Sequence, residues 1–411
     1  FTVFAGVRYL VLPVLMVVQG MFSGYAYVPP QPDSIRTGLL LMVYELVVSS
    51  VVIKILFSKR TDAFQRLQSD TVSVDCSDGN LVYWLFIALS LFMLVLKPSA
   101  LWHLSFFTDF SYGRTAGESR GFIELLTTHF LILSKLLLFF IVIKKCRVLY
   151  NKTRRNIYVI FSLIMSIFNI GIFVGINRKQ IVMNAISSLN VLRIAFPKKR
   201  RMITILILAL AFVIVFQLTA FRLSATTAQA ISKLLNRLGA ILQVYFSGPY
   251  NMALAVETRL MFSDSISFKN YLYDLGRPFF GIGYFLKQTD MLISTDYFNR
   301  RVSVGGLLRS DQIIPITGQG LLHFGYVLSP AYLVIAIILG FYFEKKLKEE
   351  LDFEKQYMYC LFCVMLGQAM GVNMIIITNV MTFQGVMFLV IHSVNKRVSV
   401  SRKSNRKMVN Q

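Results

Sequence analysis

Long runs of apolar residues, separated by short polar segments, repeat along most of this chain. Each run has about 20 residues, the length that an α-helix needs to cross the hydrocarbon core of a bilayer. The runs lie near residues 3–22, 36–57, 80–97, 122–144, 156–176, 178–196, 202–221, 321–343, 355–373 and 374–394. The pattern predicts an all-α polytopic membrane protein with about ten transmembrane helices.

Composition agrees with this pattern. Hydrophobic residues make up 55% of the 411 residues, and the mean hydropathy is +0.61. Charged residues make up only 15%, below the roughly 25% of soluble domains. A soluble domain of this size could not hide so much apolar surface.

The net charge of +23 comes from short basic clusters between the apolar runs. They lie at residues 59–66, 144–155, 198–201, 345–355 and 396–407, all on one side of the ten-helix topology. Lys and Arg accumulate on the cytoplasmic side of membrane proteins, so we expect both termini to be cytoplasmic. The charge therefore indicates topology and not nucleic-acid binding.

This topology divides the chain into four parts. They are an N-terminal bundle of about seven helices at 1–221, a large extracytoplasmic loop at 222–320, about three further helices at 321–394, and a basic cytoplasmic tail at 395–411. The loop is too long to lack structure. Its apolar residues between 231 and 242 have the spacing of an amphipathic helix, and residues 239–262 are apolar enough to re-enter the membrane, with a break expected at Gly248-Pro249.

Several cofactor motifs are absent from the sequence. There is no P-loop, no HExxH, no DxD pair, and the four histidines are scattered. We therefore expect neither a nucleotide nor a tightly held metal, and we assign no cofactor and no metal ligands.

Arginine and lysine on the outward side point to an anionic substrate. Arg178 and Lys179 occupy a tight turn between two spans, Arg222 lies at the outer end of a span, and Arg237 lies on the amphipathic helix. These four cations are our candidates for binding a lipid diphosphate, because guanidinium and ammonium groups match phosphate oxygens. The alternative is that they contact lipid headgroups or remain solvated.

Candidates for sugar binding and catalysis follow in the same loop and, for His323, near the outer end of the next span. Tyr245, Tyr250 and Asn251 flank the Gly248-Pro249 break, where aromatic rings can stack on sugars. Asp311, Glu257 and His323 are candidates for the general base that takes a proton from a sugar hydroxyl, in that order. For each of them the alternative is a purely structural hydrogen bond.

This layout resembles that of Wzy-type oligosaccharide repeat-unit polymerases. The resemblance rests on the many spans, the basic turn at Arg178-Lys179, the large late outer loop, the Tyr245–Asn251 stretch and the glycine-rich segment from Gly318 to Gly325. It covers most of residues 80–394. O-antigen ligases share this layout, but they usually carry a sharper histidine motif, which His323 does not clearly reproduce.

The resemblance implies a metal-independent glycosyltransferase of O-antigen or capsule biosynthesis in a bacterial inner membrane, with its active site facing the periplasm or exterior. It would join undecaprenyl-diphosphate-linked oligosaccharides and release undecaprenyl diphosphate. Membrane lipids and a chain-length regulator protein would be its partners. Three alternatives stay open: an O-antigen ligase for lipopolysaccharide, a lipid-linked oligosaccharide flippase or transporter, and a membrane scaffold without enzymatic activity.

The diphosphate hypothesis can be tested with single substitutions. Replacing Arg178 or Arg222 with Ala is expected to abolish the glycan product, because the charge of the leaving group would no longer be met. Product formation and membrane content of the variant would be measured together. Full activity in both variants would contradict the proposed role of these arginines.

Overall fold

The computed structural model describes residues 1–18, 26–58, 79–105, 121–174, 178–224, 239, 242–243, 245–279, 282–286, 289, 291–306 and 312–409. The helices are α1 Thr2–Gly6, α2 Leu12–Val18, α3 Pro32–Ser58, α4 Leu81–Leu96, α5 Phe122–Thr153, α6 Ile157–Gly171, α7 Arg178–Ala195, α8 Arg200–Ser224, α9 Pro249–Met261, α10 Phe268–Gly276, α11 Ile282–Leu286, α12 Ser294–Val302, α13 Ile316–Phe324, α14 Ala331–Glu349, α15 Phe353–Leu366, α16 Met374–Val380 and α17 Met387–Val409. Short π-helical and 3₁₀ segments adjoin several of them.

The all-α fold class is confirmed for these residues, in which the only β-type pairing is one bridge between Leu104 and Val174. Three described helical segments, Pro32–Ser58, Phe122–Thr153 and Met374–Ser399, are long and apolar enough to cross a membrane. Thr2–Val18, Leu81–Leu96 and Ile157–Gly171 are apolar but shorter. The membrane character of the chain is thereby supported, whereas the topology of about ten spans stays a prediction.

Two compact units make up the chain. The first comprises Phe1–Gln68, Ala228–Lys345 and Phe362–Thr382, and the second comprises Ser69–Thr227, Lys346–Leu361 and Phe383–Gln411. The predicted parts, with boundaries at 221, 320 and 394, are each continuous in sequence. Each of the two compact units instead combines three segments that are far apart in sequence.

Helix α9 is the centre of the first unit. Its residues from Pro249 to Thr258 are all buried, and it packs against α3, α12 and α13. A β-carbon at Gly38 would lie only 2.9 Å from the backbone nitrogen of Ala253, so glycine lets α3 and α9 approach closely.

The expected break at Gly248-Pro249 is confirmed. Gly248 has extended backbone and Pro249 begins α9, where proline is tolerated because the first amide of a helix needs no intrahelical acceptor. The predicted span at 321–343 has a different beginning. Helix α13 ends at Phe324, Gly325 has φ of 75°, and α14 begins only at Ala331, because this left-handed backbone interrupts the helix.

A buried ion pair ties α3 to the N-terminal helical segment. Arg8 Nη2 lies 2.8 Å from Glu45 Oε2, and both side chains have no exposed surface. Arg8 Nη1 also donates to the carbonyl oxygens of Phe246 and Met370, each at 3.0 Å, and to that of Ser247. The guanidinium thus holds the turn that precedes α9.

The second unit contains polar groups inside apolar helices. Lys135 of α5 donates to the carbonyl oxygens of Asn169 and Ile172 at 2.8 and 2.6 Å, so its ammonium caps the C-terminal end of α6. The Asn169 side-chain amide donates to Ser188 Oγ and Tyr357 Oη at 3.0 and 2.9 Å. These bonds satisfy polar groups that would otherwise be costly in an apolar interior.

Replacing Glu45 with Ala is expected to destabilise the protein by about 3–5 kcal/mol, because it leaves the Arg8 guanidinium buried without its counter-charge. Thermal unfolding of the detergent-solubilised protein would report the loss. The control is Glu349→Ala, which breaks a half-exposed pair with Lys346 at 3.7 Å and should cost about 0–1 kcal/mol. Equal melting temperatures for the two variants would contradict the role of the buried pair.

Candidate functional site

The first unit contains a buried carboxylate surrounded by polar donors. Both oxygens of Asp274, at the end of α10, accept from the backbone N–H of Ser294 at 3.1 and 3.3 Å. Its Oδ2 also accepts from Gln319 Nε2 at 3.0 Å and lies 3.3 Å from His323 Nε2. The side chains of Asp274 and His323 are each only 1% exposed, so the pair is shielded from water and its interaction is strengthened.

The second nitrogen of His323 has a partner as well. His323 Nδ1 lies 2.9 Å from the hydroxyl oxygen of Tyr332. If the ring carries its proton on Nε2, facing Asp274, then Nδ1 accepts from the tyrosine hydroxyl. Tyr332 and Tyr271 also meet the imidazole edge-on, with ring centroids 5.8 and 5.6 Å away. The histidine is therefore held by a hydrogen bond at Nδ1, an ion-pair contact at Nε2 and aromatic packing.

Helix α13 places Gln319 and His323 so that both side chains contact Asp274. They are four residues apart, so both side chains project from one face of the helix. Gln319 Oε1 accepts from the backbone N–H of Met374 at 2.8 Å, which ties this face to the start of α16. A β-carbon at Gly320 would collide with the carbonyl oxygen of Ser329, so glycine is needed for the close approach of the chain behind the site.

Glu257, a predicted general base, occupies a different environment. Its Oε2 accepts from Arg301 Nε at 2.6 Å, and its Oε1 accepts from the backbone N–H of Gln31 at 2.6 Å. Arg301 also donates to the carbonyl oxygen of Val28 at 3.3 Å. Both carboxylate oxygens are therefore engaged in anchoring residues 28–31.

The predicted sugar contacts lie at the start of α9. Tyr250 and Asn251 are each 1% exposed, and Tyr250 belongs to an apolar cluster that includes Phe298. Tyr245 is half-buried before the turn. This burial suits core packing, and the role of the three residues in sugar binding stays a prediction.

The remaining candidates are only partly described. Asp311 and Arg237 lie outside the described residues, and so does most of the predicted amphipathic helix. Arg178 begins α7 and Arg222 lies near the end of α8, but their side chains are likewise outside the description. Lys179 is half-buried in the first turn of α7. The diphosphate assignment of these cations therefore stays a prediction.

A second polar cluster lies within the second unit. His392 of α17 has Nε2 at 2.9 Å from Asp352 Oδ2 and Nδ1 at 2.9 Å from Glu354 Oε2. Lys144 of α5 lies 2.9 Å from Glu354 Oε1, and the Tyr83 hydroxyl donates to Glu354 at 3.0 Å. His392 Nδ1 also lies 2.8 Å from the Tyr83 hydroxyl oxygen. The ring therefore lies between two carboxylates, whose charge would stabilise an imidazolium.

Asp352 shows the effect of this cluster. Burial alone would raise the pKa of its carboxyl, but the hydrogen bond and charge of His392, the backbone N–H of Glu354 and the charge of Lys144 outweigh burial and lower the pKa to about 2. The carboxylate is thus strongly held in its charged form.

Asp352, Glu354 and His392 are residue types that also bind metals, and in the described parts of the chain they are the one such group with ligand atoms within 4.8 Å of one another. The two carboxylates meet opposite nitrogens of one ring, however, so a single ion would reach only one nitrogen. Lys144 already supplies a positive charge. The arrangement suits an ion network better than a metal centre.

Comparison with models of protein families, with curated proteins and with solved structures finds no match for this chain. Its function therefore has to be argued from its own residues.

Sequence reasoning selected His323 but missed its partner Asp274. The available signal was the rarity of acidic residues, since the chain has only 20 against 43 Lys and Arg. An acidic residue beside the aromatic positions of α10 was therefore a candidate for a specific role.

Replacing Asp352 with Asn is expected to lower the melting temperature at neutral pH. Because the folded-state pKa lies below the ordinary value of 3.8, the stabilisation is present above that value and is lost as the pH falls toward about 2. The difference between wild type and variant should therefore shrink over this range. Thermal unfolding against pH would measure it, with exposed Asp264→Asn as the control. A difference that does not change with pH would contradict this assignment.

Proposed function

We propose that this chain is a membrane glycosyltransferase that joins polyprenyl-diphosphate-linked oligosaccharide repeat units. The single observation that carries the proposal is the buried Asp274–His323–Tyr332 arrangement, because it has the form of an oriented general base. Asp274 lies in the loop 222–320, where the sequence predicts the outer active site, and His323 and Tyr332 follow it in the segment predicted as the next span. The proposed setting is a bacterial inner membrane, with about ten spans and both termini in the cytoplasm.

If the imidazole carries its proton on Nε2, Tyr332 donates to Nδ1, and this direction defines a route for the proton. The acceptor sugar hydroxyl gives its proton to the Tyr332 oxygen as Tyr332 gives its own proton to His323 Nδ1. The resulting imidazolium faces the Asp274 carboxylate, which stabilises its charge. The acceptor oxygen then bonds to the anomeric carbon of the donor, and the bond from that carbon to the diphosphate oxygen breaks.

The negative charge that develops on the departing diphosphate must also be stabilised. The predicted cations Arg178, Lys179, Arg222 and Arg237 remain the candidates, acting by fixed electrostatic stabilisation of the developing charge. Since Tyr332 is 3% exposed, the proposal requires that substrate binding opens a path to its hydroxyl. Energy for the transfer comes from the diphosphate linkage itself.

A ligase would use the same donor and the same chemistry with a different acceptor. A flippase or transporter is the second candidate, and specific observations favour it: the buried Arg8–Glu45 pair and the half-buried Lys135 on a long apolar helix. Ionisable groups at such positions often mark transport pathways. Movement of a fluorescent lipid-linked oligosaccharide across proteoliposomes would support this second function.

The polymerase proposal predicts a glycan ladder that depends on His323 and Asp274. Purified protein in lipid nanodiscs, with chelator, would be mixed with undecaprenyl-diphosphate-linked repeat units, and products separated by size. His323→Gln should reduce ladder formation by about 10²–10⁴-fold, the range of general-base contributions. Asp274→Asn should lower the rate, because the imidazolium that forms during transfer loses the carboxylate that stabilises its charge.

The matched control is His103→Gln. His103 is also paired with a carboxylate, Glu124 at 2.9 Å, but in the second unit and with partial exposure. The His103→Gln variant should form the same glycan ladder as the wild type. No ladder from the wild type with the correct repeat unit would sink the polymerase proposal, and lipid A core would then be supplied as the acceptor to test the ligase.

A further inference from the structure

A long stretch of the chain, most of it in the second unit, has no acidic residues. Residues 125–256 include no Asp and no Glu. Two basic segments fall within the part of this stretch that belongs to the second unit, residues 144–155 at the end of α5 and residues 193–201 around the start of α8. Their charge cannot be balanced by neighbours in sequence.

The fold brings the two basic segments side by side. Arg147 Nη1 donates to the carbonyl oxygen of Ile194 at 3.1 Å. The rings of Tyr150 and Phe196 pack edge-on with centroids 5.4 Å apart. The C-terminal end of α5 therefore lies against the C-terminal end of α7, and both clusters belong to one surface.

The cations of this surface are accessible. Six of them have exposed side chains and form no ion pair with any described residue: Lys152, Arg154, Arg155, Lys198, Arg200 and Arg201. The Arg154 guanidinium lies 5.9 Å from the Tyr150 ring, and Arg200 Nε donates to the Arg193 carbonyl oxygen at 3.4 Å. These contacts orient the guanidinium groups without neutralising them.

Exposed apolar side chains directly adjoin the cations. Ile157, Met202 and Ile205 are 58%, 41% and 67% exposed, although each follows a basic residue closely. Such side chains suit contact with lipid tails, and cations one turn away then lie at the depth of lipid headgroups.

We propose that this surface, formed by residues 152–155 and 198–201, is a binding site for anionic phospholipid headgroups of the leaflet that the sequence predicts to be cytoplasmic. Arginine presents a planar fork that matches phosphate oxygens, and basic surfaces between transmembrane helices bind phosphate-bearing lipids in this way. Charge complementarity favours phosphatidylglycerol over a zwitterionic lipid.

A lipid-binding site makes different demands on the protein from basic residues that only set its orientation in the membrane. Orientation in the membrane depends on the number of Lys and Arg residues in a loop, whereas a lipid site depends on two loops being held together. A site also binds a limited number of lipids and prefers anionic headgroups. It does not rest on the proposed glycosyltransferase function.

Native mass spectrometry of the detergent-solubilised protein with added phosphatidylglycerol would test the site. Wild type should retain phosphatidylglycerol in preference to phosphatidylcholine, less so at high salt. R154Q/R155Q and R200Q/R201Q should each bind about tenfold more weakly, since each cation contributes measurably to attraction for an anionic surface. R154K/R155K, which keeps the charge, should retain most of the binding.

The control is R36Q/R300Q, which removes two exposed cations from the first unit and should leave lipid retention unchanged. Gel filtration and thermal unfolding without added lipid would verify that each variant is folded. Equal retention of the two lipids by the wild type, or unchanged phosphatidylglycerol binding in both glutamine variants, would overturn the proposal. Binding of an acidic peptide without binding of phosphatidylglycerol would overturn it as well.

Discussion

A carboxylate that leaves water needs a cation or several hydrogen-bond donors, and this constraint organises both units of the chain. The desolvation cost of an unpaired charge is several kcal/mol even after relaxation, which a marginally stable fold cannot absorb. Glu45 meets Arg8, Glu257 meets Arg301, and Glu354 meets Lys144. In each case the pair joins segments that are far apart in sequence, so the same contacts that neutralise charge also define the tertiary structure.

Asp274 is a distinct case among these carboxylates. Its partner His323 is neutral or charged depending on its proton, unlike an arginine. The N–H groups of Ser294 and Gln319 hold the carboxylate in place irrespective of that proton. A pair built in this way can accept a proton and release it without losing its structure, which separates it from the Glu257–Arg301 anchor and supports a chemical role.

Local features of the fold were predictable from the sequence, because they depend on residues close together along the chain. The apolar runs predict helices, and Gly248-Pro249 predicts the break before α9. The late beginning of α14 was missed because a glycine and a proline in an apolar run, Gly325 and Pro330, resemble the tolerated irregularities of transmembrane helices. At the site, His323 and Glu257 were selected from their chemistry. That Glu257 pairs with Arg301, and His323 with Asp274, depends on packing between α9, α10, α12 and α13, which no local pattern encodes.

The scarcity of acidic residues links the buried sites to the basic surface. The chain has 20 acidic residues against 43 Lys and Arg. A carboxylate that takes part in a buried pair cannot neutralise a cation elsewhere. The stretch from 125 to 256 is the extreme, and its cations at the C-terminal end of α5 and at the start of α8 have no acidic neighbour in sequence. The six exposed cations of this surface form no ion pair with any described residue, so the proposed lipid supplies their counter-charge. In a bilayer the nearest source is the phosphate of an anionic headgroup, held at the depth where these helices change from apolar to basic. The lipid is then part of the charge balance of the folded protein, as Arg8 and Lys144 are for the carboxylates inside it.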